Sequence, residues 1–551
     1  MSARWTQSPH SCAGAFAGWH GVGSLEVLAL PGLSYFVILQ LVILDDCIGD
    51  GVKDLCHGIQ VTPVEEEGGR WSVVVLSFLS LLTTQESSDG GAAAKGQKWL
   101  RPATDKEEYF EIGHRDNYGQ TFFGIELTSS RPLGEDLVRR ALVHLYWKVP
   151  VLRLCLGRRD GRLWLREMDS CVLDFKVVKD GVEGEEQQKL IEHMFNTAEG
   201  PMWCARFLPA VGGQGGALLM CIHHTATDGL SNLKICHCLH TILDDLTAER
   251  RVDDAEQLGD HAGDEEARLL YERERQRLLQ DPELYKRRKE ELMAATKIPP
   301  PILSVLSFPR NEVATTRSVK LVLDEPTTQA FRQVCKSEGV SVHSALTGVV
   351  NVAMLGILEA LPNAPPDYNF VCSHDINLRR YYEGDTSRIL GVHIATFSYK
   401  MSLITPKDVM HKFWSYVLEF HGRLHGDLKD RAPLQAVALR LMERSKDDNF
   451  KECFSSTAVP EYCYAISNTG DVTNTLPGNG DFVQVTNLTW CASLRRLVSL
   501  MCFNVHTFRG KLNINLAYST HFMERDTAQQ IVNNMQDVIT SLLTKGPEGR
   551  E

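Results

Sequence analysis

A chain of 551 residues is long enough to bury an extensive core and to divide into two or more lobes. Its 58 basic and 70 acidic side chains leave a formal charge of −12, which excludes the basic footprint of a nucleic-acid binder. Fifteen cysteines at irregular spacing fit reduced thiols in a cytoplasmic protein better than a disulfide framework, and most are expected to pack as small apolar groups.

Residues 1–97 are unlike the rest of the chain. Val27–Leu44 is apolar, but Pro31, Gly32, Ser34 and Gln40 interrupt it, and it is barely long enough to cross a bilayer. It lies too far from Met1 for a signal peptide. Ser72–Leu82 is a shorter apolar run, and residues 87–98 are small and polar, like a linker. The stretch 1–97 is therefore read as an extension, either poorly ordered or weakly membrane-associated through 27–44. A reading frame begun too far upstream is a third reading.

From residue 98 the pattern is regular. Thr121–Leu127 reads as a strand and 133–149 as an amphipathic helix, with Leu137, Ala141, Leu142 and Leu145 on one face. Val151–Leu156 and Gly161–Leu165 read as strands joined by a turn at Arg158-Arg159-Asp160-Gly161. Gln187–Phe195 is helical, and after it come the strand Pro201-Met202-Trp203 and a Gly-rich turn at 212–216. Leu218–Ile222 then forms a buried strand running into His223-His224-Thr225-Ala226-Thr227-Asp228-Gly229, and Leu230–Leu246 continues as a helix.

This strand-to-helix turn carries the chemistry. A neutral imidazole accepts a proton near pH 7, provided one tautomer and one orientation are held. Asp228 can brace the turn against a cation from elsewhere in the chain, or cap the helix that begins there. Gly229 is read as permitting a backbone geometry that a Cβ would block, and the small residues 225–227 leave room beside the ring. Cys236-His237-Cys238-Leu239-His240 lacks a partner pair at zinc spacing, so no metal is expected. P-loop, GxSxG, HExxH and dinucleotide signatures are absent from the sequence.

The segment His223–Gly229 resembles the HHxxxDG motif of the CoA-dependent acyltransferase superfamily, and Gly200–Phe207 resembles the strand that precedes it there. The resemblance covers roughly residues 98–545. It implies an α/β fold with mixed sheets, built as two chloramphenicol-acetyltransferase-like lobes with the active site in a tunnel between them. The implied boundaries are 98–246 for the first lobe, 247–301 for a charged helical crossover and 302–551 for the second lobe. It further implies acyl transfer from a thioester donor to a hydroxyl or amine of a small acceptor. His224 would be the general base and Asp228 structural, with no covalent acyl-enzyme. Acyl-CoA would be a co-substrate, with no bound cofactor, and the protein a monomer. A condensation-type domain fed by a carrier protein and an inactive binding module of the same fold are the alternatives.

The second half adds supporting positions. Ala267–Met293 reads as a solvated helical connector ended by Pro299-Pro300-Pro301. Ser318–Leu323 is a strand, Thr327–Ser337 a helix, and Gly339–Ser344 starts a long apolar helix in which His343 is a structural contact. Asn369–Arg380 resembles the family's arginine-bearing strand, which precedes the pair Leu390-Gly391. Arg379 is then either a bidentate partner of Asp228 or part of a surface arginine pair. Ala465–Asp471 resembles the Ser-Asn-x-Gly segment of alcohol acetyltransferases. There Ser467 or Asn468 would donate to an oxyanion, or the segment is an ordinary turn. The DFGWG segment of the plant BAHD branch is absent. Lys511–Tyr518 closes the sheet as a strand, and a last helix covers 527–543.

Overall fold

A computed structural model describes residues 97–544 apart from 116–117, 261–264, 297–299, 305, 307–313, 360–364, 396–399, 444–459, 461 and 495–499, together with the backbone of four earlier strands. The chain divides into two units, Met1–Ala93 and Ala94–Glu551. In the first, β1 (Leu25–Leu28), β2 (Val37–Gln40), β3 (Gln60–Glu66) and β4 (Gly69–Ser77) form one sheet in the order β1-β2-β4-β3. The bilayer reading of 27–44 otherwise falls outside the described residues. Among the described residues no single helix is long and apolar enough to cross a membrane.

The second unit is built on two large mixed sheets. The first has the order β18-β6-β11-β10-β9, from β6 (Tyr118–Ser129), β9 (Phe175–Val177), β10 (Trp203–Pro209), β11 (Gly215–His223) and β18 (Val483–Leu494). Strand β6 is buried along most of its length, as a central strand must be. This half of the chain also holds a smaller sheet, β5 (Gln97–Pro102), β8 (Arg162–Met168) and β7 (Leu154–Arg159), and the helices α1 (Asp105–His114), α2 (Glu135–Lys148) and α3 (Glu183–Ile191). Residues 151–153, expected to open a strand, instead belong to a 3-10 turn over Pro150–Arg153, because Pro150 starts a helical turn more readily than a sheet edge.

The second sheet has the order β12-β20-β19-β17-β13-β16, from β12 (Thr316–Leu323), β13 (Asp367–His374), β16 (Lys400–Pro406), β17 (Tyr464–Asp471), β19 (Met501–Phe508) and β20 (Lys511–Ser519). The short pair β14 (Ile376–Asn377) and β15 (Ile394–Ala395) flanks it. Helices α7 (Glu325–Ser337), α8 (Val342–Leu358), α9 (Phe413–Lys429) and α11 (Arg525–Thr544) belong to this lobe, and α8 is buried almost throughout, sharing one core with the sheet. The charged stretch expected as a solvated connector is two helices, α5 (Glu265–Gln280) and α6 (Pro282–Thr296). Their apolar positions pack on α10 (Ala432–Glu443), with Leu278 and Leu284 against Ala438 and Leu439. Charged side chains reach that inner face too: the buried Arg288 pairs with Asp427 and Asp430, and Gln435 bridges Arg288 and the buried Glu274.

One strand departs from a simple division at residue 302. Val483–Leu494, expected within the second lobe, pairs antiparallel with β6 and completes the first sheet. The residue pattern of β18 suits either sheet, so only the long-range pairing decides. A shared apolar cluster fastens the two halves. It contains Phe110, Phe122, Ile191 and Cys204 from one side and Val371, Tyr462, Ala465 and Cys502 from the other. Each fully buried large side chain contributes about 1.5–3 kcal/mol by leaving water.

Candidate active site at the junction of the lobes

Strand β11 ends at His223, a five-residue turn comes next, and helix α4 (Gly229–Thr247) begins with Asp228 as its N-cap. The Asp228 Oδ1 accepts from the Ser231 N–H at 2.8 Å, satisfying a donor that a helix start leaves open. Its Oδ2 accepts from Arg379 Nη1 at 2.7 Å and from the His393 N–H at 2.9 Å. Burial alone would raise the Asp228 pKa. The Arg379 guanidinium and the Ser231 N–H outweigh burial and hold the carboxyl well below the usual range.

The structure therefore brings Asp228 and Arg379 together across the lobe junction, both side chains almost fully buried. The contact is not a bidentate fork. Nη1 reaches Asp228, while Nη2 donates to Ser231 Oγ at 2.9 Å and Nε to the Ile389 carbonyl at 3.2 Å. One guanidinium thus ties the motif turn, the first turn of α4 and the 389–393 loop. Lys234, one turn further along α4, donates to the Thr386 and Ile389 carbonyls of the same loop.

His224 has a fixed ring. Its Nδ1 lies 2.7 Å from the Thr227 carbonyl, an atom that can only accept, so Nδ1 carries the proton and Nε2 keeps its lone pair. The ring stacks on Phe110 of α1, with centroids 4.0 Å apart and planes at 20°. Burial lowers its pKa to about 4, so the imidazole is neutral at pH 7. It nevertheless retains partial solvent exposure, which His223 lacks.

His223 is committed to structure. Its Nδ1 accepts from the Thr225 N–H at 3.0 Å, which places the proton on Nε2, facing Glu111 Oε2 at 3.4 Å. Glu111 is buried; the hydrogen bonds from His223 and the Thr197 hydroxyl offset that burial and lower its pKa. The His114 ring stands 4.4 Å from that of His223.

Other sequence-predicted positions fall differently. Gly229 opens α4 without a left-handed φ, and a Cβ there would meet Thr469 Cγ2 at 3.5 Å, an ordinary contact. Its expected backbone role is therefore corrected. The glycine that the site requires is Gly119, at φ +80°, where a Cβ would press to 3.0 Å from Phe110 and 3.6 Å from His224. Ser467 and Asn468 lie partly exposed on β17, and Asn468 Oδ1 accepts from the Gly470 N–H at 2.9 Å. The residue of that segment that meets the motif helix is Thr469. On α4, Cys236 is buried in the core and His240 Nε2 lies 2.8 Å from the Val483 carbonyl, so this segment does not assemble as a ligand set. His343 Nε2 lies 2.9 Å from His374 Nδ1 inside the second lobe.

Sequence reasoning missed α1 entirely, although it supplies Phe110, Glu111 and His114. The signal was Thr104-x-x-Glu107, a capping box whose two reciprocal bonds the structure contains.

Comparison with known proteins bears on the fold. Residues 312–517 match a family described as the phthiocerol/phthiodiolone dimycocerosyl transferase C-terminus. A trichothecene 15-O-acetyltransferase from Fusarium sporotrichioides superposes with a TM-score of 0.58 at 11% identity, covering 83% of this chain and 97% of that one. The polyketide synthase associated protein 5 from Mycobacterium tuberculosis gives 0.57 at 14% identity, covering 81% and 99%. The chain has the fold of condensation domains and CoA-dependent acyltransferases. The epimerization domain of tyrocidine synthetase B shares this condensation fold, with a TM-score of 0.57 at 15% identity over 81% of this chain and 98% of that one. No match was found among curated proteins.

Proposed function

We propose that this protein transfers an acyl group from a thioester donor, acyl-CoA, to a hydroxyl or amine of a small acceptor. The observation that carries the proposal is the His224 ring, locked through Nδ1 on the Thr227 carbonyl with Nε2 left free. In this reading Nε2 takes the acceptor proton as the acceptor oxygen attacks the thioester carbonyl. The tetrahedral intermediate collapses, the carbon–sulfur bond breaks, and Nε2 returns the proton to the departing sulfur. No group on the enzyme becomes acylated. A donor from the Ser467–Asn468 segment steadies the oxyanion, since Asn468 retains its amide N–H groups while Oδ1 is engaged. Such a base contributes about 10²–10⁴-fold, and placement of the two substrates supplies much of the rest. The match to an acyltransferase family over 312–517 supports the reaction class.

A second reading, with the donor carried on a pantetheine arm of a carrier protein, is favoured by the likeness to the condensation domain of the Monacolin K polyketide synthase. Release of free thiol from acyl-CoA in a mixture of alcohols and amines separates the two. Acceptor-dependent release supports the first. Transfer only from an acylated carrier supports the second, and no transfer from either donor contradicts both.

A further inference from the structure

A second cluster of donor groups, which acyl transfer does not use, lies one layer behind His223. Asp174 immediately precedes the edge strand β9, and Cys204 sits on β10. These strands pair in parallel with Ala205 opposite Phe175, so Asp174 and Cys204 are neighbours across the ladder. Helix α3 ends at Ile191 above the same face, and the returning chain brings His193 over that corner. One carboxylate oxygen, one imidazole nitrogen and the thiol sulfur lie within 4.8 Å of one another.

The spacing is informative. His193 Nε2 and Asp174 Oδ2 are 3.6 Å apart. That is long for a hydrogen bond, which wants about 2.7–3.2 Å. It matches the separation of about 3.3–3.7 Å between neighbouring ligands on a tetrahedral zinc ion with bonds of about 2.0–2.3 Å. The carboxylate is also held for ligation: Arg206 Nη1 binds Asp174 Oδ1 at 2.9 Å and the Asp174 carbonyl at 3.1 Å, leaving Oδ2 for His193. Access is one-sided. The Asp174 and His193 side chains are each 30% exposed, whereas Cys204 is fully buried at the back. Arg206 and Lys176 bring positive charge to this corner, so a cation there requires both anionic ligands, the carboxylate and a thiolate.

We propose that Asp174, His193 and Cys204 bind one divalent cation of the zinc class, tetrahedrally, with water in the fourth position. Binding breaks the Cys204 S–H bond, forms the metal–sulfur bond and releases one proton to solvent, with no change of oxidation state. The ion has a positioning role. The His193 carbonyl accepts from Gln120 Nε2 at 3.0 Å, and the Phe195 N–H and carbonyl lie 3.1 and 3.2 Å from His114 Nε2. His114 in turn backs His223, so a cation at His193 fastens the segment behind the motif.

The test uses the full chain, stripped with chelator and titrated with Co²⁺. One equivalent should produce tetrahedral visible bands and a near-ultraviolet thiolate-to-cobalt band, both abolished by Zn²⁺. His193→Gln alters a partly exposed side chain and should keep the native circular dichroism while weakening Co²⁺ binding at least about ten-fold. Cys204→Ser should lose the thiolate band, and Cys238→Ser should keep it. Absence of a thiolate band in the wild-type chain, its retention in Cys204→Ser, or an unchanged Co²⁺ affinity in folded His193→Gln would overturn the proposal.

Discussion

Replacing Arg379 by alanine probes the link between the two lobes and the motif turn. The guanidinium and the Asp228 carboxylate are 2% and 1% exposed and 2.7 Å apart. Removing the cation leaves a buried anion with two N–H donors, from Ser231 and His393, and also strips donors from Ser231 Oγ and the Ile389 carbonyl. Breaking a buried pair from one side costs about 3–5 kcal/mol. The pH dependence gives the sharper signature. In the wild type the Asp228 pKa is lowered, so its contribution is present above the unfolded value of about 3.9 and lost as pH falls through the folded value. In Arg379→Ala only the Ser231 and His393 N–H groups still oppose burial, the largest influence on this carboxyl, so the folded pKa rises above the unfolded one. The penalty is then full at neutral pH and shrinks as protonation relieves it. Urea titrations followed by tryptophan fluorescence at pH 7.5 and pH 5 should show a gap between variant and wild type that narrows on acidification. A cost below about 1 kcal/mol at pH 7.5, or a gap that does not change with pH, would refute the reasoning. The double variant Asp228→Asn/Arg379→Leu should cost less than Arg379→Ala alone, because no buried charge is left unpaired.

Burial holds His114, His224, His343, His393 and His506 near pKa 4, below their unfolded value of about 6.5. Between these values the unfolded chain binds more protons, so stability should fall as pH drops from about 6.5 to 4, by up to about 1.4 kcal/mol per pH unit for each group. A urea midpoint constant across that window would contradict these assignments. Phe110→Ala removes the ring stacked on His224; the His224 pKa should rise from about 4 toward the ordinary value, read from its ring resonances by NMR, and stability should fall by about 3–5 kcal/mol. An unchanged His224 titration would show that Phe110 does not set its environment. Gly119→Ala places a Cβ at a left-handed position against Phe110 and His224 and should cost about 1–2 kcal/mol in urea, a result that an unaltered midpoint would deny.

How much of the fold and site was legible in the sequence varies with the range of the interaction. The turn from β11 into α4 was readable because an apolar run, a histidine pair and a capping aspartate lie within fifteen residues. Strand β18 was not assigned to its sheet, because its partner β6 lies more than 350 residues away and either sheet would accept its alternation. Helices α5 and α6 looked solvated because charged residues outnumber the few apolar positions that meet α10. Within the site, Asp228 and Arg379 could be named from their segments, but the Thr227 carbonyl that fixes the His224 tautomer is a backbone group with no residue signature. Phe110 and Glu111 were missed because α1 is only ten residues long and has little apolar periodicity; its capping box was the available clue.

The most direct measurement is thiol release from acyl-CoA by purified His224→Ala, beside its thermal unfolding. The account predicts turnover lowered by about 10²–10⁴-fold in a chain that still unfolds cooperatively, at a midpoint lowered by loss of the Phe110 stacking and the Thr227 hydrogen bond, since the ring contributes a lone pair at Nε2 to the reaction. Wild-type turnover in the folded variant would contradict it.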